Sequence, residues 1–305
     1  MIVIDGNALG YAAQYAKPMI SDGVQVQAIY QFLRSLKNIR ERFDRDGNIV
    51  VLWDGRANFR FDLHPEYKGN RNKDEKAKAH KEEWQRQSDS VQSILPSLNV
   101  TQMLHYEFEA DDLAGYLTRK ITQPIRLITG DQDWQQLVSP TVSWHDMRTN
   151  MKKDCDFSNF NTVTGFDTAS RFLVAKAMIG DTSDNIQGVE GIGPKSAGEI
   201  MSLYGSVKSL KAHHKECGGF DKDDLPASMS KFKKKLNNFC EGQHDERLAR
   251  NLKLMNLGSP ANDEAMSKGL NVTRAAPEQS KFEASCRDLG FLSIVKHINQ
   301  WSVFY

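Results

Sequence analysis

Three short apolar runs, Met1–Ile4, Ile49–Trp53 and Ile125–Thr129, each hand the chain to an aspartate within two residues: Asp5, Asp54 and Asp131. Runs of that length with polar boundaries read as buried strands, and the segments between them carry apolar residues at helical spacing. Strands alternating with helices make a mainly parallel sheet, in which all the carboxyl ends point the same way. The acids are therefore expected to converge on one sheet edge, where open α/β sheets place their sites. Turn chemistry explains one Asp after one strand; it does not explain the repetition.

The intervening segments extend the pattern. Ile29, Phe32, Leu33, Leu36, Ile39 and Phe43 predict a helix over Val24–Phe43, and a second helix is expected over Glu82–Leu95, before a strand at Asn99–Leu104. Glu109-Ala110-Asp111-Asp112 opens a further helix whose stripe is Leu113, Tyr116, Leu117 and Ile121, and Asp133 joins Asp131 after the third run. Acids in a first helical turn also suit the helix dipole, so each motif has a structural reading when taken alone. Gathered on one edge, they form an oxygen-donor set suited to Mg²⁺. Val142–Trp144 reads as another strand and Cys155–Thr164 as a loop.

With 305 residues the chain has room for one large or two modest domains, and its net charge of +1 gives no global electrostatic signature. Nucleic-acid binding would rest on local patches. The opening MIVIDGNALG is not expected to be a signal peptide, and no run approaches the ~18 apolar residues of a membrane span. Cys155, Cys217, Cys240 and Cys286 form no CxxC pair and no regular framework, which fits a reducing, cytoplasmic setting.

Residues 55–86 are dense in charge and poor in aliphatics. Most of their lysines read as a solvated helical face. Tyr67-Lys68-Gly69-Asn70-Arg71 differs, because an aromatic that can stack on a base adjoins two cations that can meet phosphates. The insertion is expected to lie over the acids as a cover. After a helix at Ala169–Ile179 come Asp181 and Asp184, then Gly188-Val189-Glu190-Gly191-Ile192-Gly193-Pro194-Lys195-Ser196. Glycines that let amides approach a phosphate, leading into a helix through Pro194, make a helix–hairpin–helix signature for gripping a nucleic-acid backbone. Lys231, Lys233, Lys234 and Lys235 read either as a solvated face or as phosphate contacts. His213, Cys217, Cys240 and His244 have a spacing that could hold zinc, although structural sites more often use tighter Cys pairs. Residues 258–279 read as a loose linker and Phe282–Ile298 as a helical unit. The tail 300–305 either packs on the core or, by its Gln and spaced apolar residues, serves as a sliding-clamp peptide.

Taken together, VIDGNALG at 3–10, Asp54 before HPEYKGNR, EADD at 109–112, TGDQDW at 129–134 and GDTSDNIQGVEGIGPKSA at 180–197 resemble the 5′-nuclease (flap endonuclease) family, closest to its bacteriophage-type members. The resemblance covers roughly residues 1–257. It implies a PIN-like α/β domain over 1–166 with an arch near 55–86, a helix–hairpin–helix region over 167–257, and a C-terminal segment 258–305 without an assigned motif. It also implies a metal-dependent phosphodiesterase acting on flaps and branched DNA, and on RNA–DNA hybrids, in replication primer and flap removal. By position, Asp5, Asp54, Glu109, Asp111 and Asp112 match one metal cluster and Asp131, Asp133, Asp181 and Asp184 a second. Two or more Mg²⁺ ions are implied, with Mn²⁺ as a substitute and K⁺ at the hairpin. Lys68 and Arg71 match catalytic cations, and Tyr67, Gly188, Gly191, Ile192, Gly193, Lys195 and Ser196 match DNA contacts. Branched or flap DNA is the expected partner, with a sliding clamp or single-strand-binding protein as an alternative use of the tail, and the chain is expected to be a monomer. Two rivals stand beside this reading: a PIN-type ribonuclease, which would lack arch and hairpin, and a non-catalytic DNA-binding accessory protein.

Overall fold

The apolar runs become the centre of one sheet. In a computed structural model that describes residues 1–43, 47–70, 75–221 and 223–305, strand β1 (Ile2–Asp5) runs straight into helix α1 (Gly6–Gln14). A small hairpin of β2 (Ile20–Ser21) and β3 (Val24–Gln25) precedes α2 (Gln27–Arg42). The expected helix from Val24 thus starts at Gln27, because the turn at Asp22, with φ of 47°, draws Val24 into the hairpin. Then follow β4 (Ile49–Trp53), α3 (Asn58–Leu63), α4 (Glu75–Ile94), β5 (Val100–Leu104), α5 (Ala110–Lys120), β6 (Ile125–Thr129) and β7 (Val142–Asp146). The segment expected as a loop after Cys155 holds part of β8 (Asp154–Cys155), which pairs antiparallel to β7, and α6 (Phe160–Thr164).

The sheet order is β11-β5-β4-β1-β6-β7-β8, with β11 (Asn271–Thr273) supplied from far along the chain. The inner five strands are parallel, and both edges are antiparallel. From β1 the chain builds outward through β4 and β5, then returns to the other side of β1 with β6. The β1/β6 boundary is the switch point where such sheets leave a crevice. β1 and β4 are buried along their whole length, as expected of strands covered on both faces.

On one face α1, α2 and α4 pack around Phe32, whose ring lies 6.1 Å from Trp53 and 6.0 Å from Trp84. The other face buries Leu113, Leu117, Trp134, Trp144 and Phe172. The helical half comprises α7 (Ala169–Ile179), a hairpin of β9 (Gly180–Asp181) and β10 (Ile186–Gln187), α8 (Pro194–Tyr204), α9 (Val207–Glu216), α10 (Ala227–Ser230), α11 (Lys233–Cys240) and α12 (Asp245–Met255). Its apolar cluster also takes in Ala57 and Tyr67 from the arch root.

Residues 258–279, read above as a loose linker, contain α13 (Asp263–Gly269) and β11. The side chains of β11 are exposed and its place depends on backbone pairing with β5, so no apolar alternation announces it. Helices α14 (Gln279–Asp288) and α15 (Leu292–Lys296) and the final turn return to the first face, where Trp301 and Phe304 are buried. Two of the tail's three aromatics are thus spent inside the core, while Tyr305 is 43% exposed. Among the described residues no helix is long and apolar enough to cross a membrane.

Candidate active site

Each acid is placed by the end of an element. Asp5 closes β1 and caps α1, accepting from the Ala8 amide at 2.8 Å and from the Thr129 hydroxyl at 3.0 Å. Asp54 follows β4 and accepts from Asn7 Nδ2 at 2.7 Å and from the Ala110 amide at 2.9 Å, which ties it to the start of α5. Asp111, in the first turn of α5, accepts from Trp134 Nε1 at 2.6 Å. Asp131, past the end of β6, accepts from the Asp133 amide at 2.7 Å, and Asp133 is ion-paired with Lys176 of α7. Asp181 is held by the Ser183 amide and hydroxyl, both at 2.7 Å. Tyr67 Oη links the two acid groups, standing 3.0 Å from both Glu109 and Asp184 so that its one proton is shared between them.

The arch root is laced to the loop that carries Asp184. Lys68 N donates to Asp184 O and Asn185 Nδ2 to Glu66 O, both at 2.9 Å, and His64 Nε2 meets Asn185 O at 2.9 Å.

The electrostatics record this crowding. Burial, then Asp54, pushes the Asp5 carboxyl up to about 7. Burial and then Asp131, Glu109, Asp54 and Asp5 push Asp111 well above the usual carboxylate range. Burial and Asp131 outweigh Lys176 to lift Asp133 to about 6. Glu109 goes the other way: against burial, Lys68 and Arg60 hold it below its ordinary value. Carboxylates that raise one another's pKa lack compensating positive charge, and their donor set is all oxygen, which fits a hard divalent cation. Among the described residues no three Asp, Glu, His or Cys side chains stand in ready-made coordinating geometry, since these carboxylates are turned onto protein donors.

The structure brings all nine predicted acids into one connected set, but it gives several residues other duties than expected. Tyr67 is 4% exposed, its ring inside the helical cluster, so it is not open to stack on a base. Its hydroxyl needs a partner when buried and finds two acids. Lys68 Nζ stands 2.6 Å from Glu109. Asp112 is expected among the metal ligands, yet both its oxygens are taken by Arg60. Arg71 lies outside the described residues. Arg60 and Lys176 were missed from sequence. Lys176 had a signal, a lone cation in the apolar run Phe172–Ile179; Arg60 had none, being one of several cations in a charged stretch.

The predicted hairpin forms. Pro194 is the first residue of α8, and Ser196 Oγ accepts the Gly193 amide at 3.0 Å. Ile192 and Ser196 are buried, so their side chains hold the hairpin together rather than face a ligand, while Lys195 is exposed. Gly191 has φ of 82°, in the left-handed region, and a Cβ there would meet Lys235 Cδ at 2.4 Å. Lys235 in turn pairs with Glu190 at 3.0 Å. His213, Cys217, Cys240 and His244 form no metal-holding group. Burial pushes the Cys240 thiol up to about 11, which disfavours the thiolate that zinc needs.

A PIN-like sheet with an acid cluster at its switch point, joined to a helical domain that opens with a glycine-rich hairpin, defines a class of nucleases. Residues 1–164 match the family model described as the 5′–3′ exonuclease N-terminal resolvase-like domain, and residues 168–271 match the 5′–3′ exonuclease C-terminal SAM fold. The chain belongs to the 5′–3′ exonuclease family. Among its curated relatives, DNA polymerase I of Mycobacterium bovis is 30% identical over 239 residues, covering 75% of this chain and 26% of the relative. The chain thus spans about a quarter of that relative's length. The flap endonuclease of bacteriophage T5, solved as a pseudo-enzyme-product complex with DNA and metal ions, shares the fold at TM-score 0.68 and 24% identity, over 97% of this chain and 98% of the other. The T5 5′-exonuclease with bound divalent zinc gives TM-score 0.67 and 26% identity, over 97% and 99%.

Proposed function

We propose that this chain is a structure-specific 5′ nuclease that hydrolyses phosphodiesters at flaps and free 5′ ends of branched DNA during replication. The observation that carries the reading is the convergence of acids from β1, β4, α5, β6 and the 181–184 loop at the β1/β6 crevice, with the arch root fastened over them. Divalent ions of the Mg²⁺ type, held by Asp5, Asp54, Asp111 and Asp131 and on the other side by Asp133, Asp181 and Asp184, would supply an activated water and take charge from the leaving oxygen. The protein's own part is positioning. The hairpin amides around Gly193 and the exposed Lys195 would bind the duplex backbone through its phosphates, a grip that ignores sequence and weakens with salt. Lys68 would exchange Glu109 for the scissile phosphate and steady its charge as the bond breaks, with Arg71 as a second cation. A K⁺ ion at the hairpin is consistent with this grip. The reading also accounts for the rise of the Asp5, Asp111 and Asp133 pKa values, which a non-catalytic DNA-binding protein has no use for.

The test is cleavage of 5′-labelled flap, nicked and RNA–DNA substrates in Mg²⁺ or EDTA. Asp131→Asn and Asp181→Asn are expected to lose cleavage by orders of magnitude while DNA binding without divalent ions survives. Retained cleavage in both variants would sink the assignment.

A further inference from the structure

Arg60 and Asp112 stand apart from the other charged groups of the site. The guanidinium is 3% exposed. Its Nη1 and Nη2 reach the two Asp112 oxygens at 2.6 and 2.8 Å, Nη1 also reaches Glu109 at 3.4 Å, and Nε donates to the Leu254 carbonyl at 2.8 Å. Asp112, 6% exposed, accepts the Glu109 amide as well, at 3.0 Å. A carboxylate engaged on both oxygens by a forked guanidinium has little lone-pair capacity left for a divalent ion. The Phe59 ring lies 4.6 Å from the guanidinium carbon, so the cation cannot swing aside without opening packed surface.

The four partners belong to different parts of the fold. Arg60 sits in α3 at the root of the arch, Glu109 and Asp112 open the acid helix α5, and Leu254 is near the end of α12 in the helical half. One buried side chain therefore ties the arch, the acid cluster and the DNA-gripping half together.

We propose that Arg60 is a positioning residue, and that Asp112 serves Arg60 rather than the metal-ligand set: the pair holds Glu109 and the arch root in register with the helical half. The proposal rests on the nuclease reading above and assigns Asp112 a different duty from its acidic neighbours. An ion pair this well buried behaves asymmetrically. Removing one partner strands a charge, whereas replacing both with apolar groups is tolerated.

The experiment uses full-length protein and three readouts: Mn²⁺ affinity by electron paramagnetic resonance, thermal unfolding, and kcat and KM on a 5′-flap DNA. Asp112→Asn is expected to keep Mn²⁺ affinity within about threefold of wild type, while Asp111→Asn loses at least about tenfold. Arg60→Met lowers the melting temperature, and Arg60→Met/Asp112→Met regains it. In that double variant kcat stays down by about tenfold or more with KM little changed, because Glu109 and the arch root are no longer held in place. Should Asp112→Asn fail to fold, the Mn²⁺ comparison is made on the double variant. A loss of Mn²⁺ affinity as large as that of Asp111→Asn overturns the assignment of Asp112. Wild-type kcat in the double variant overturns the positioning role and leaves the pair merely structural. The Mn²⁺ and melting measurements need no cleavage, so a wild type inert on every flap would count against the nuclease reading and not against the pair.

Discussion

Lys68 Nζ stands 2.6 Å from Glu109 Oε1, so the cation matched from sequence to the scissile phosphate meets an acid of the cluster instead. With Lys68 only 20% exposed, this pair is partly shielded from water and salt, and it competes with any cation for Glu109. Lys68→Ala is therefore expected to act in two directions. Mn²⁺ affinity of the DNA-free protein should rise severalfold, while flap cleavage falls by roughly 10²-fold from loss of charge at the phosphoryl group. Titration calorimetry beside a cleavage assay separates the two, and a fall in both would mean that Lys68 helps to hold the ion.

Tyr67 gives a second separation. Its hydroxyl shares one proton between Glu109 and Asp184 while its ring stays in the core, so Tyr67→Phe keeps the packing and removes that link. The expected cost is about 1.5–3 kcal/mol, the range for hydrogen bonds to charged groups. Flap-DNA affinity should be nearly unchanged, because the ring is not presented to a base. Equilibrium urea unfolding and fluorescence anisotropy measure the two quantities; weakened DNA affinity at unchanged stability would restore the stacking role.

Most of the sheet was legible because its strands are buried on both faces and so appear as unbroken apolar runs; Ile2–Asp5 and Ile49–Trp53 announce themselves. Strand β11 was not legible, since an edge strand with exposed side chains is fixed by backbone pairing with β5, and only the fold brings the two together. The same division runs through the site. Asp5, Asp54 and Asp131 could be found because their positions depend on local strand ends. The partners of Arg60 could not, because Asp112 and Leu254 lie 52 and 194 positions away.

The raised acids make metal and pH act together. Asp5 and Asp133 hold protons in the native state up to about 7 and about 6. The unfolded chain gives them up near the ordinary carboxylate value of about 4. The native state binds more protons across that window, so stability in EDTA should fall as pH rises from about 4 to 7. A divalent ion replaces those protons as compensating charge. The gain in melting temperature on adding Mg²⁺ should therefore be larger at pH 7.5 than at pH 5. Paired thermal melts test this; a gain independent of pH would place the bound Mg²⁺ away from these acids.

Trp301 bears on the tail. It is 3% exposed, with its ring 4.7 Å from Phe282 and 5.8 Å from Phe304. Trp301→Ala should cost about 3–5 kcal/mol by cavity formation. Urea unfolding would show a lower midpoint, and a loss below 1 kcal/mol would argue that the tail is free for a partner.

Gly193 offers the sharpest test of the hairpin, because two demands on it come apart. Its backbone, φ −105° and ψ −176°, is extended and open to any residue, and a Cβ there would meet nothing within 4 Å. Folding therefore does not require glycine at this position. Close approach of a phosphate to the free amides of the α8 N-terminus, as proposed above, would require it, since a methyl group would narrow that approach. The Gly193 amide itself is taken by Ser196 Oγ. Gly193→Ala is expected to leave the melting temperature unchanged and weaken duplex binding by roughly tenfold, about 1.4 kcal/mol. Gly191, at φ of 82° and against Lys235, is the control: alanine there should lower stability and binding together. If Gly193→Ala binds duplex like wild type, the phosphate does not sit at this helix N-terminus, and the grip belongs to the exposed lysines on either side.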